Sequence, residues 1–128
     1  MDEQSILNEY LGIHNEYRAI YGPNTVVLME VGTFFEIYAV INDELNLGPD
    51  IYHIGQNILQ IPVVKRNKKI PEISMKNYLQ AGFPTVSIQK FENILMNHNY
   101  HAVIVEHITP PPNPERGVTR VVSPGTSL

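Results

Sequence analysis

The sequence contains no cysteine, which excludes disulfides and thiolate metal sites and leaves the redox compartment unmarked. No positively charged leader with an apolar core opens it, and no apolar run approaches membrane-spanning length. The expected setting is therefore intracellular, with no membrane partner. No Gly-x-x-x-x-Gly-Lys-Ser/Thr loop is present, so the chain is not an ATPase module. Positive charge is also scarce: nine Lys and Arg stand against thirteen Asp and Glu, for a net charge of −4. That balance is awkward for a nucleic-acid binder, because neutralising phosphates supplies most non-specific affinity. The scarcity is uneven. Four of the nine basic residues lie in Lys65-Arg66-Asn67-Lys68-Lys69, which makes one basic loop in an otherwise acidic chain.

What is present fits one domain. A length of 128 residues supports a sizeable core but not two, and 43% apolar with 17% charged residues is ordinary for a globular protein. Leu7, Tyr10, Leu11, His14, Tyr17 and Tyr21 recur at helical spacing, which predicts a helix from about Gln4 to Tyr21. Asp2 and Glu3 sit at its positive end, and Gly22-Pro23 stops it with a left-handed glycine cap. Strands are predicted at Thr25–Val31 and Phe34–Val40, with a loop over Asn42–Asp50 and a short helix at Ile51–Asn57. A further strand is expected at Leu59–Val64, where Pro62 favours a sheet edge. Glu72–Leu79 reads equally as strand or helix. Ile88, Phe91, Ile94 and Leu95 stripe a second helix from about Ser87 to His98, with Asn99 as a left-handed cap. His101–Ile108 and Val118–Val122 read as strands, joined through a connection stiffened by Pro110, Pro111, Pro112 and Pro114. Interleaved helices and strands predict an α/β fold with a mixed β-sheet flanked by helices.

The stretch Thr25–Val40 organises the rest. A β-branched, apolar run ends at Gly32, and the alternation that follows puts Phe35, Ile37 and Ala39 on one face. Phe34, Glu36 and Tyr38 fall on the other. An aromatic ring and a carboxylate two residues apart on one strand face suit stacking on something flat and accepting a hydrogen bond from its edge. The alternation alone reads Phe34 more readily as a core aromatic than as a contact residue, and Glu36 as a solvated strand residue.

Val31-Gly32-Thr33-Phe34-Phe35-Glu36 resembles the Met-Gly-Asp-Phe-Tyr-Glu signature of the MutS DNA mismatch-repair proteins, within their N-terminal mismatch-recognition domain. Ala81-Gly82-Phe83-Pro84 is similar to that family's Ala-Gly-Ile/Val-Pro ahead of a helix. Arg120-Val121-Val122-Ser123-Pro124-Gly125-Thr126 is similar to the Arg-Val-Val-Thr-Pro-Gly-Thr that closes the domain. Three motifs in order span nearly the whole chain.

The resemblance implies a mismatch-recognition domain over residues 1–117, with a closing strand and the start of a connection to a next domain over 118–128. It implies that Phe34 stacks on a mispaired base from the minor groove and that Glu36 hydrogen-bonds that base. Lys65, Arg66, Lys68 and Lys69 are then candidates for phosphate contact beside the wedge, though a solvated turn explains a charge run as well. Arg116 and Arg120 could add to them. The expected partner is double-stranded DNA with mismatches or small loops. The chain is expected to be a fragment that catalyses nothing and needs no cofactor. In the full-length family, other domains bring ATP and Mg, a MutS dimer and downstream repair proteins, and the location follows the DNA in cytoplasm, nucleoid or a DNA-containing organelle.

Some positions depart from the family pattern. Glu30 stands where an arginine is common, Thr33 replaces an aspartate, and Pro84-Thr85-Val86 lacks the Tyr-His that often follows the proline. Two other function classes stay open. One is a protein-interaction module that has lost DNA binding, favoured by the net charge and Glu30. The other is a small metal-dependent nuclease using Asp50, Glu72 and Lys76, whose acid and lysine are four apart rather than two. His98, His101 and His107 match no familiar zinc spacing and read as surface or packing residues.

Overall fold

The first helix forms where its apolar stripe predicts it. Helix α1 (Glu3–Tyr21) buries Leu7, Tyr10, Leu11 and His14, and the Asp2 carboxylate caps it by accepting from the Ser5 amide at 2.8 Å. The computed structural model describes residues 2–110, 112 and 115–125. Pro111, Pro114 and Thr126, which belong to the expected proline-rich connection and closing motif, lie outside them. Gly22 ends α1 at φ 92° and ψ −171°, with its amide on the Arg18 carbonyl. The turn is a positive-φ extended one rather than the left-handed cap expected, and it favours glycine all the same.

Strands β1 (Thr25–Val31) and β2 (Phe34–Ile41) form an antiparallel hairpin in which Val31 pairs with Phe34. Only Gly32 and Thr33 separate them, and Gly32 takes φ 61°, as a two-residue hairpin loop requires. The segment read as a loop over Asn42–Asp50 holds a short strand β3 (Asn46–Leu47) against the end of β2. A π-helix follows over His53–Leu59, ended by Gln60 at φ 56°. The strand expected at Leu59–Val64 therefore shrinks to β4 (Val64–Lys65). Ile54, Ile58 and Leu59 are buried at helical spacing, and a short apolar run of this kind does not reveal its period in sequence. Pro62 does precede a sheet-edge strand.

Residues 72–78 are neither strand nor helix but a turn bridged from Ser74 to Asn77. The Ala81-Gly82-Phe83-Pro84 motif is itself the end of strand β5 (Leu79–Pro84), which pairs along β2. A 3-10 turn (Thr85–Ser87) leads into α2 (Ile88–Asn97), and Asn99 takes φ 62° as expected of a left-handed residue. Strand β6 (His101–His107) lies parallel to β1, and β7 (Arg116–Val122) lies antiparallel to β6. The sheet is mixed, in the order β4-β5-β2-β1-β6-β7, with β3 paired to β2. Helix α1 packs on the face that carries Tyr38, through Tyr10, and α2 packs on the face that carries Phe35, through Phe91 and Phe83. Both faces are covered along most of β2, which leaves its first residues as the open part.

Candidate nucleic-acid interface

Phe34 follows the hairpin turn directly, and 41% of it is exposed although it is paired in the sheet. Phe35 turns to the other face and is buried against Phe83. The hairpin tip is tethered, since the Thr33 carbonyl accepts from the Thr85 amide at 2.9 Å, beside the Phe34–Pro84 pair. Val86, next in the 3-10 turn, is 92% exposed. Met29 of β1 lies level with Val105 of the parallel β6, so exposed Ile108 stands at the same end of the sheet. Three large apolar side chains, Phe34, Val86 and Ile108, thus gather where β1 and β6 end.

Glu36 shares the face of Phe34 and pairs with Gly82. Together they line a cleft of about 210 Å³ with Pro62, Val64 and Gln80. A Cβ on Gly82 would lie 2.9 Å from the Phe35 carbonyl oxygen and 3.2 Å from Glu36 Cγ, so glycine keeps this close approach open. The Tyr38 hydroxyl donates to Glu36 Oε1. Tyr38 is buried, edge-on to Tyr10 and to Tyr78. Burial pushes its phenol far above the usual range, and the Glu36 carboxylate pushes the same way, so Tyr38 remains a donor.

The basic loop is built from its own carbonyls. Buried Asn77 donates through Nδ2 to the carbonyls of Asn67, Ile70 and Glu72, which fixes the loop's path. Within it, Arg66 is turned inward: it donates to Gln80 Oε1 at 2.9 Å, pairs with Glu3 at 2.9 Å and lies over the Tyr78 ring. Lys65 Nζ donates to the Pro71 carbonyl at 3.3 Å, whereas Lys68 and Lys69 are exposed. Lys65 pairs with Leu79 and Leu79 with Ala39, five residues along β2 from Phe34. At roughly 3.3 Å per residue the loop is about 17 Å further along the strand than the ring. By register Lys65 is thus level with the later part of β2, while its neighbour Val64 lines the same cleft as Phe34 and Glu36.

Arg116 and Arg120 do not extend that loop either. Arg116 donates to the Glu30 carbonyl at 2.7 Å and lies 3.6 Å from Glu9 of α1, while Arg120 pairs with the buried Glu92 of α2. A register shift opposite Ile104 and Val105 turns β7 over between the two arginines, so one strand pins both helices. The Glu30 carboxylate accepts from the His107 amide at 2.8 Å and thus ties β1 to the end of β6. His98 and His101 are held separately, by the Ile94 carbonyl and the Ser123 hydroxyl. Asp50 starts the π-helix segment through the His53 amide, and Glu72 lies in a different cleft with Asp43 and Glu44. Among the described residues no group of three or more His, Cys, Asp and Glu is placed to hold a metal ion.

Two contributors escape a sequence reading. Val86 looks like any residue before a helix, and its exposure depends on the 3-10 turn. Tyr38 falls in the same alternation as Phe34 and Glu36, and that register could have pointed to it.

No protein-family model matches the chain. Individual relatives do. A DNA mismatch repair mutS homologue of Acanthamoeba polyphaga mimivirus is 29% identical over 128 residues, which cover 98% of this chain and 11% of the relative. MutS of Lactobacillus delbrueckii subsp. bulgaricus is 24% identical over 127 residues, covering 96% of this chain and 13% of the relative. MutS of Streptococcus sanguinis is 28% identical over 125 residues, covering 94% and 12%. The chain thus spans 11–13% of the length of these curated relatives. Over nearly all of its own length, in a mixed α/β fold, this chain is a relative of the MutS DNA mismatch-repair proteins.

Proposed function

We propose that this chain recognises mispaired or looped bases in double-stranded DNA from the minor groove, with Phe34 stacking on the displaced base and Glu36 hydrogen-bonding its edge. The observation that carries this reading is a half-exposed aromatic ring at a tethered hairpin tip, beside a cleft lined by a carboxylate. An inserted ring unstacks a base step and kinks the duplex, and that costs least where pairing is already defective. Stacking on an aromatic ring contributes roughly 1–3 kcal/mol per base whatever the base, which suits a reader of many mismatches. Val86 and Ile108 add apolar surface at the same end. Lys68 and Lys69, exposed on the basic loop, contact phosphates of the same duplex. Lys65 and Arg66 hold the loop in shape for that contact. By the same reading, ATP, magnesium, a dimer partner and downstream repair proteins engage other parts of a longer protein, in a DNA-containing compartment.

A second reading, a protein-interaction module on the same fold, is favoured by the net charge of −4 and the inward turn of Arg66. Fluorescence anisotropy at low salt separates the two, comparing a G·T-mismatched duplex with its matched twin for wild type and Phe34→Ala. A mismatch preference lost in Phe34→Ala supports base recognition, and absence of any DNA binding supports the interaction module.

A further inference from the structure

The hydroxyl of Tyr38 is placed by more than packing. Its ring is wedged edge-on between Tyr10 at 5.3 Å and Tyr78 at 5.1 Å, centroid to centroid, with only 1% of the residue exposed. That confinement leaves the hydroxyl one direction, toward Glu36 Oε1 two residues along the same face. A phenylalanine would fill the same space without touching the carboxylate. Around the pair stand Arg66 from the basic loop, Glu3 from α1, Tyr10, Tyr78 and the amide of Gln80, which Arg66 holds through its oxygen.

The donor inventory sets what Glu36 can then recognise. A carboxylate accepts hydrogen bonds and donates none. Oε1 takes the Tyr38 hydroxyl, and the acceptor sites that remain on the carboxylate serve the cleft that Glu36 lines. Minor-groove edges of adenine and thymine present acceptors only, and guanine adds its N2 amino donor. A fixed acceptor in the minor groove therefore attracts mispaired guanine and opposes an edge that carries acceptors alone.

We propose that Tyr38 is a positioning residue that determines specificity, fixing Glu36 as an acceptor so that the site favours a mispaired guanine, whose N2 amino group donates into the minor groove, over adenine opposite cytosine. This rests on the reading of Phe34 as the stacking wedge. It adds a selectivity that stacking alone does not supply.

The test measures anisotropy of G·T, A·C and matched duplexes near pH 8, where adenine opposite cytosine stays unprotonated, with the 128-residue chain. Wild type should bind G·T about tenfold more tightly than A·C, the size of one hydrogen bond to a charged group. Tyr38→Phe should bring that ratio within about threefold, because the freed carboxylate rotates and no longer presents one fixed acceptor. Glu36→Gln, whose amide both donates and accepts, should collapse the ratio as well, and Tyr38→Phe on top of it should change nothing further. Glu36→Gln also keeps the test decisive if Tyr38→Phe does not fold, as thermal unfolding would report. A ratio unmoved in Tyr38→Phe, with both affinities falling in parallel, would reduce Tyr38 to a structural residue and overturn the inference alone. A wild type without any Phe34-dependent mismatch preference would overturn the wedge reading and this inference together.

Discussion

The amide of Thr85 donates to the carbonyl of Thr33 at 2.9 Å, which joins the connection ahead of α2 to the tip of the β1–β2 hairpin. A wedge must resist being pushed back as it enters a base step, and this bond braces the turn that carries Phe34. Pro84 already has the extended conformation, φ −60° and ψ 143°, that a following proline demands. Thr85→Pro should therefore remove the donor with little backbone strain, at a cost of about 0.5–1.5 kcal/mol. Its mismatch preference should fall more than its matched-duplex binding, measured by anisotropy. Equal losses on both duplexes would show that the tether serves the fold alone.

The basic loop should divide into two kinds of residue. Lys68→Gln with Lys69→Gln should leave the unfolding temperature unchanged and flatten the salt dependence of DNA binding by about 0.9 log–log units per lost phosphate contact. Arg66→Ala should behave otherwise, since its side chain joins Glu3 of α1 to Gln80 of β5. A partly exposed pair of this kind contributes roughly 0.2–1 kcal/mol, so a lowered denaturation midpoint is the expected signature. A salt slope that follows Arg66 rather than the two lysines would reverse the assignment.

His14 gives a pH dependence of stability. The residue is 3% exposed, and its Nδ1 has no hydrogen-bond partner among the described residues. Burial, and then the Arg18 charge nearby, hold its imidazole below the ordinary 6.5. The unfolded chain therefore binds the proton more readily than the folded one. The stabilisation is complete above the unfolded value, about pH 6.5, and is lost as pH falls through the lower folded value. Urea midpoints should drop between about pH 7.5 and about pH 5, and His14→Leu should flatten that drop. An identical drop in His14→Leu would place the acid sensitivity elsewhere.

Much of this molecule was legible in its sequence where periodicity was long. Leu7, Tyr10, Leu11 and His14 announced α1, and the alternation through Phe34, Phe35 and Glu36 correctly assigned opposite faces to the two phenylalanines. Short apolar runs failed instead. The short helix expected at Ile51–Asn57 does form there and runs on to Leu59, which was read as the start of a strand because a few apolar residues cannot show whether their period is helical or extended. The Ala81-Gly82-Phe83-Pro84 motif is a strand end for a reason invisible locally: Gly82 must let the Phe35 backbone and Glu36 come close. Charge was legible as composition but not as position. The run Lys65–Lys69 was plain, yet only the register of β4, β5 and β2 reveals that Lys65 is level with Ala39, five residues along the strand from Phe34.

The central claim is that Phe34 enters the base stack, and 2-aminopurine fluorescence tests it most directly. The probe is set beside a G·T mismatch and, in a control, in the matched duplex, because its emission rises when it loses its stacking neighbours. Saturating wild-type protein should raise emission in the mismatched duplex and leave the matched one nearly dark, and Phe34→Ala should abolish the rise even at concentrations where it still binds. Equal emission from wild type and Phe34→Ala, with both bound, would mean that the ring never enters the stack, and the wedge account would be wrong.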